Sequence, residues 1–206
     1  MKFSQYRTFC KSLKKDKFYL IYFEDKCRWH FIAKLIQIAA CFKYRKISKR
    51  DKRFKGRFLP NHVAYLCNPS ATLDAFDNNI IVESRLDGFH TKRLFNTVRK
   101  YKGKILIEEL NIKVDYEDIL SFVGENRGKK YSVYGAIMSW FDVFKPSKKK
   151  PKGGFCSMMT CKQCKNIGIK MKIEDGNCSE ITPCDMFYCK KIANKKVLKS
   201  KIIKLK

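Results

Sequence analysis

The feature that most constrains the fold is a series of short apolar runs in the middle of the chain. They are rich in β-branched and aromatic residues and are separated by turn residues such as Pro60-Asn61 and Asn68-Pro69. Runs of this length and composition predict β-strands. The four runs are HVAYLC at 62–67, NNIIVES at 78–84, GFHTKRLF at 88–95 and KILIEEL at 104–110.

Helical patterns follow these strands. The first has an acidic first turn, apolar spacing and a terminal glycine, which are helix signals. The segments are DYEDILSFVGENRG at 115–128, SVYGAIMSWF at 132–141 and FCSMMTCKQCKNIG at 155–168. Strands followed by helices predict an α+β fold, in which helices pack on a small antiparallel sheet.

The first fifty residues are predicted to be helical. In RWHFIAKLIQIAACF, apolar residues from Phe31 to Phe42 recur at spacings of three and four, which gives one apolar helix face. VLKSKIIKL, near the end of the chain, is interpreted as an edge strand or an ordered tail. The predicted organisation is a helical extension with a basic linker at 1–57, a main domain at 58–190 and a lysine-rich tail at 191–206.

Charge is the most unusual property of the composition. Lys and Arg number 46 against 19 Asp and Glu, for a net charge of +27. Such a field favours non-specific binding to polyanions, namely nucleic acid, anionic lipid or an anionic cell-wall polymer. A lysine-rich proteome would give the same composition without any such partner. The basic residues concentrate at 43–57, 145–152 and 190–206.

Location is predicted from the N-terminus, the apolar stretches and the cysteines. The first residues contain no apolar region typical of a signal peptide, and the stretch Trp29–Phe42 is too short and polar to span a bilayer. In such a chain, the 10 cysteines favour free thiols over a disulfide framework. We therefore expect no transmembrane segment and a reducing, cytoplasmic location, with association with a virion as the alternative.

Cys156 is the candidate nucleophile. It follows Gly153-Gly154-Phe155 at the predicted start of a helix. Unpaired N–H groups and the helix dipole stabilise a thiolate there, and the Cys156 N–H is available to a developing oxyanion.

A cysteine nucleophile needs a base and a group that orients the base. Of the 3 histidines, His62 opens a strand directly after Pro-Asn, whereas His30 lies in a predicted helix and His90 within a strand. Glu83 ends the next strand and reaches His62 if the two strands are neighbours. Each residue alone has an ordinary alternative: a surface histidine, a buried small thiol and a solvated glutamate.

The order of the motifs adds a family resemblance. NHVAYLC, IIVESRLDGF, KKYSVYGAI, GGFCSMMTCKQCKNIG and ITPCDMFY resemble the circularly permuted papain-like amidases of the YiiX-like group. That group belongs to the NlpC-type superfamily, whose relatives include the lecithin-retinol acyltransferases. The resemblance spans about residues 58–190 and lacks the family's Gly-Asp segment before the histidine.

The resemblance implies a role for each matching residue. Cys156 would be the nucleophile, His62 the general base, Glu83 the residue that orients it and Tyr131 a substrate-binding residue. The implied activity is a cofactor-free cysteine hydrolase, an amidase, peptidase or acyltransferase. It would cleave an amide, peptide or acyl substrate through a thioester on Cys156.

The alternative function is a non-catalytic basic protein of viral or phage type that binds nucleic acid. It would use an inactive hydrolase fold or a structural zinc site. Cys161-Lys-Gln-Cys164 has the spacing of half a zinc site, which Cys184 and Cys189 would complete. Against zinc, MMTCKQCKNIG reads as continuous helix rather than as a glycine-rich turn. The prediction is therefore a protein without a bound metal.

Overall fold

An antiparallel sheet of six strands lies at the centre of the described chain. The computed structural model describes residues 3–24, 44, 58–68, 79–141, 153–169, 177–188 and 201–204. The strands are β1 (Lys17–Glu24), β2 (His62–Asn68), β3 (Ile80–Arg85), β4 (Gly88–Arg93), β5 (Lys104–Lys113) and β6 (Lys201–Lys204). Their order across the sheet is β4-β3-β2-β1-β5-β6, and each neighbouring pair is antiparallel.

Helices cover both faces of this sheet. They are α1 (Phe3–Lys11), α2 (Leu94–Lys100), α3 (Tyr116–Asn126), α4 (Val133–Phe141), α5 (Cys156–Asn166) and α6 (Pro183–Tyr188). A 3₁₀ turn, Cys178–Glu180, precedes α6. The α+β class with an antiparallel sheet is therefore confirmed.

Strand β1 explains why the sheet needs cover on both sides. Its sequence KFYLIYFE is apolar at six consecutive positions, all of them buried. Side chains of a strand alternate between the two faces. A strand that is apolar throughout therefore belongs between two packed layers, and β1 lies there between β2 and β5.

Two apolar cores result, one on each face. The α5 core takes Phe18, Leu20 and Tyr22 from β1 and includes the buried side chains of α5 and α6. The α1 core takes Tyr19, Ile21 and Phe23 and is closed by α1 and α2. The α5 core is the face that carries the candidate nucleophile.

The prediction of helix over the first fifty residues is wrong for Lys17–Glu24. An apolar run that is buried on both faces has no strand periodicity, so its pattern does not distinguish a strand from a buried helix. Because β1 is central to the sheet, the boundary drawn at residue 57 does not mark where the sheet begins. The helix predicted around 29–42 lies outside the described residues.

The four predicted strands are all present, with one difference. Leu94 and Phe95 begin α2 instead of ending β4. The N-cap residue of α2, Arg93, makes no side-chain capping bond, so the sequence carries no start signal there. Of the alternatives for VLKSKIIKL, the edge strand is confirmed, because Lys201–Lys204 pairs with β5 at the edge of the sheet.

Candidate active site

Helix α5 begins at Cys156, as predicted, and two glycines allow its first turn to pack closely. Gly153 has φ +91°, and a Cβ there would lie 2.6 Å from the carbonyl oxygen of Lys130. A Cβ on Gly154 would lie 2.6 Å from the sulfur of Met159. A larger residue at position 153 would therefore push the start of α5 away from the backbone of Lys130, and one at position 154 would displace the Met159 side chain.

Two backbone hydrogen bonds hold the segment that leads into Cys156. The N–H of Gly154 donates to the carbonyl of Lys130 at 3.1 Å, and the N–H of Ser132 donates to the carbonyl of Gly154 at 2.8 Å. Tyr131 therefore pairs in parallel with Gly154, two residues before the thiol. Cys156 is only 5% exposed, whereas Gly153 is exposed, so the thiol lies just below the surface.

His62 is the first residue of β2 and lies at the end of the sheet. The neighbouring N–H of Asn61 donates to the carbonyl of Phe23 at 3.0 Å, which fixes the backbone there. The imidazole packs against the ring of Phe23, with centroids 5.4 Å apart. The thiol of Cys156 is also close enough to the imidazole for each group to shift the pKa of the other.

Glu83 lies on the neighbouring strand β3, which pairs with β2. Its carboxylate side chain is 1% exposed, and Oε2 lies 3.0 Å from His62 Nε2. Because Nε2 binds the carboxylate, Nδ1 is the ring nitrogen left for the sulfur. The structure therefore brings Cys156, His62 and Glu83 into one chain of contacts.

The electrostatics favour an ion pair between the thiol and the imidazole. Burial opposes charge on Cys156, but the hydrogen bond and charge of His62, with the N–H groups of Val63 and Ser157, lower the pKa of Cys156 below its ordinary value. Burial likewise opposes charge on His62. The contacts with Cys156 and Glu83 outweigh burial and raise the pKa of His62.

Glu83 is ionised in this environment. Burial alone would raise the pKa of its carboxyl, but the hydrogen bonds and charges of His62 and Arg85 lower that pKa far below the usual range. The result is a buried carboxylate that faces the imidazolium at hydrogen-bond distance.

Tyr131, the predicted substrate-binding residue, is half-buried beside this group. Burial, and then the negative charge of Cys156, raise the pKa of its hydroxyl above the ordinary range. Tyr131 therefore remains a neutral phenol with a hydroxyl hydrogen to donate.

Three residues around Glu83 were missed by the sequence analysis. Arg85 Nε lies 2.7 Å from Oε2, and Lys92 Nζ lies 3.6 Å from Oε1. His90 Nε2 lies 3.4 Å from Oε1. The signal was present in the β3–β4 hairpin, whose register sets Glu83 opposite His90 across the two-residue turn Leu86-Asp87.

A further segment, Asn177–Tyr188, contacts both sides of the site, and we call it the C-terminal clasp. On the side of α5, Cys178 forms a disulfide with Cys161, and the hydroxyl of Ser157 donates to the carbonyl of Ile181 at 2.5 Å. On the side of β2, the thiol of Cys184 donates to the carbonyl of Pro60 at 3.2 Å.

The disulfide corrects the expectation that the cysteines are thiols. The Cα atoms of Cys161 and Cys178 are 5.7 Å apart because the 3₁₀ turn packs on α5, a proximity that sequence spacing does not reveal. The other described cysteines are thiols, namely Cys10, Cys67, Cys156, Cys164 and Cys184.

The zinc alternative has less support than its sequence spacing suggested. Cys161 and Cys164 lie on the continuous helix α5, and Cys161 is bonded to Cys178. Within the described residues, no group of three or more His, Cys, Asp or Glu side chains is arranged to bind a metal ion. Cys189 lies outside those residues.

Compared with known proteins, the chain matches no family model, no characterised protein and no solved structure. None of the described helices combines the length and apolar character that crossing a membrane requires.

Proposed function

We propose that the protein is a cysteine hydrolase in which Cys156 is the nucleophile, His62 the general base and Glu83 the residue that orients it. The observation that carries this proposal is the continuous contact from the Cys156 thiol through His62 to the buried Glu83 carboxylate. A nucleophile, a base and a third group that orients the base are the elements of covalent catalysis by cysteine. The order of base before nucleophile agrees with the circularly permuted papain-like arrangement.

The reaction begins with the thiolate–imidazolium pair. The Cys156 sulfur attacks the substrate carbonyl carbon, and the carbonyl electrons move to oxygen. The N–H of Cys156, at the first position of α5, has no acceptor within the helix and is available to this oxyanion. The bond to the leaving group then breaks, the leaving atom takes the proton of His62, and a thioester remains.

The second half of the reaction returns the enzyme to its first state. Water, or another acyl acceptor, gives a proton to His62 while its oxygen attacks the thioester. The carbon–sulfur bond breaks, and Cys156 leaves as the thiolate. An acid, or an acyl-transfer product, is released. We propose an amide or peptide as the substrate, with an ester or lipid-acyl bond as the nearest variant, because His62 is placed to protonate an amine as it leaves.

Selective alkylation tests the nucleophile. At pH 5, iodoacetamide should label Cys156 before any other thiol, as mapped by mass spectrometry, because the thiolate is the reactive form. Cys67 is an internal reference, since burial raises its pKa to about 11. Uniform labelling, or earlier labelling of another cysteine, would contradict the assignment.

Substitution tests the other two roles. His62→Gln and Glu83→Gln should each slow the alkylation of Cys156 at pH 5 by about tenfold or more, because each weakens the charge that stabilises the thiolate. Glu109→Gln is the matched control. Glu109 lies on β5, which flanks β1 on the side opposite β2, so this substitution should leave the alkylation rate of Cys156 unchanged. A burst of p-nitrophenol from p-nitrophenyl acetate, absent in Cys156→Ser, would report the acyl-enzyme.

The net charge of +27 favours a second candidate function, non-specific binding of a polyanion. The salt dependence of duplex DNA binding tests it, since log K should fall by about 0.9 per contacted phosphate for each decade of salt. Cys156→Ser should bind equally well if the charge acts separately from the hydrolase site. Sequence-selective binding that a chelator abolishes would instead support the zinc-dependent alternative.

A further inference from the structure

The carboxylate of Glu83 binds more cations than the orientation of His62 requires. Its Oε2 atom is shared by two donors, His62 Nε2 at 3.0 Å and Arg85 Nε at 2.7 Å. The guanidinium therefore binds the same oxygen as the imidazole, and at the shorter distance. Lys92, by comparison, faces the other oxygen, Oε1, at 3.6 Å.

Arg85 is held beside His62 by a second contact. Its Cζ atom lies 5.9 Å from the centroid of the Phe23 ring, and the same ring packs against the imidazole. An arginine over an aromatic face gains a cation–π interaction. Although its side chain is 38% exposed, Arg85 thus has two partners that keep its charge next to the catalytic pair.

The charge of Arg85 opposes the effect of Glu83 on His62. A carboxylate stabilises an imidazolium, and a neighbouring guanidinium destabilises it. Both effects act here: contacts with Cys156 and Glu83 raise the pKa of His62, and the charge of Arg85 lowers it. An imidazolium that is stabilised too strongly is a poor acid, whereas the reaction requires His62 to give its proton to the leaving group.

We propose that Arg85 is a positioning residue that limits how strongly Glu83 holds the His62 proton, and thereby keeps His62 able to protonate the leaving group. This inference rests on the proposed hydrolase function. It assigns to Arg85 an effect on proton transfer that a purely structural ion pair would not have.

The surrounding charges decide which control is appropriate. Cys156 faces His62 from α5, and the uncharged ring of Phe23 in β1 packs against the imidazole. Among the described residues, the other charged or titratable groups near the Glu83 carboxylate are His62, Arg85, His90 and Lys92, and Asp87 contacts the last two. Lys92→Met is therefore the matched control, because it removes a similarly exposed cation from Oε1 and leaves Oε2 intact.

The experiment is an NMR titration of the His62 ring in the full chain. The chain has 3 histidines, so the His62 signal is identified by its absence in His62→Gln. Arg85→Gln, which keeps an N–H donor but removes the charge, should move the His62 titration upward by about one pH unit. Arg85→Met should do the same, while Arg85→Lys and Lys92→Met should each move it by less than half as much.

An unchanged or lower titration in the neutral Arg85 variants would overturn the inference, as would an equal shift in Lys92→Met. If both neutral variants fail to fold, Arg85→Lys decides, because a full upward shift despite the retained charge would also overturn it. Failure of the hydrolase proposal is recognised separately, when the unmodified chain shows no preferential alkylation of Cys156.

Discussion

The two faces of the sheet differ in how they are built. The α1 core consists mainly of apolar side chains and is closed by α1, which directly precedes β1, and by α2, which directly follows β4. The α5 core is assembled from segments that are distant in sequence, including Phe58, α5 and the C-terminal clasp. It also encloses polar side chains of α5, namely Ser157, Thr160 and Gln163.

The α1 face contributes to stability, whereas the α5 face also carries the candidate site. Buried apolar contacts are favourable without further conditions, whereas buried polar groups must be paired. Ser157 and Thr160 donate to the carbonyls of Ile181 and Cys156, but Gln163 Nε2 is buried without a hydrogen-bond partner in the described part of the chain. The α5 face thus carries an unpaired polar atom on the helix that begins at Cys156, while the buried amide of Asn79 on the α1 face is paired with Cys10.

The largest expected contrast is between one thiol on each face, Cys156 and Cys10. Cys10 belongs to the α1 core and accepts a hydrogen bond from Asn79 Nδ2 at 3.4 Å. At pH 5, Cys156 should react with iodoacetamide at least about a hundredfold faster than Cys10, because only Cys156 is paired with an imidazolium. Cys156→Ser should abolish the fast phase and Cys10→Ser should preserve it. Equal rates for the two thiols would remove the distinction between the faces.

The second contrast concerns stability alone. Leu94→Ala removes a fully buried side chain of α2 from the α1 core and should lower the free energy of unfolding by about 3–4 kcal/mol. Urea denaturation measures this loss, with Leu120→Ala as a control because Leu120 is 54% exposed. The folded variant should alkylate at Cys156 at the parental rate. A large change in that rate would show that packing in the α1 core also affects the reactivity of Cys156.

A third prediction concerns the clasp. Replacing both Cys161 and Cys178 with Ala removes the disulfide between two residues that are 17 positions apart in the sequence. Unfolding should become easier by about 3 kcal/mol, because the unfolded chain regains the freedom that the cross-link removed. Denaturation with and without dithiothreitol provides the comparison: the reductant should destabilise the parent and leave the double variant unaffected. Equal stability of parent and double variant would show that the clasp does not depend on this bond.

The smallest effect is a pH shift within the α5 face. Because the contacts of His62 raise its pKa, its stabilising contribution is present below the ordinary histidine pKa and is lost as the pH rises through the raised value. Cys156→Ser removes the negative partner, so the His62 titration should move downward by about one pH unit. An NMR titration of the imidazole measures the shift. A titration that does not respond to this substitution would mean that the thiol and the ring are not electrostatically coupled.

The sequence predicts some of these features better than others, for physical reasons. The start of α5 at Cys156 has a local signal in the two glycines before it, and the strands that carry His62 and Glu83 have theirs in short apolar runs next to Pro60-Asn61 and Asn68-Pro69. Their contact follows once β2 and β3 are neighbours.

The features that were not predicted depend on context. Strand β1 has no periodicity because it is buried on both faces. The pairing of Cys161 with Cys178 depends on how the clasp packs against α5, and the sharing of the Glu83 carboxylate with Arg85 depends on side-chain directions across the hairpin. Short-range patterns do not encode such tertiary relations.

The order of the site residues along the chain also has a consequence during protein synthesis. Strands β1 to β5, including His62 and Glu83, all precede α5, and the clasp follows it. A chain emerges from the ribosome N-terminus first, at about 5–20 residues per second. His62 and Glu83, the proposed base and its orienting carboxylate, are therefore made before Cys156. A nascent chain that ends before residue 156 lacks the thiol of this site, which is completed only when α5 and the clasp reach a sheet whose central strands have already been synthesised.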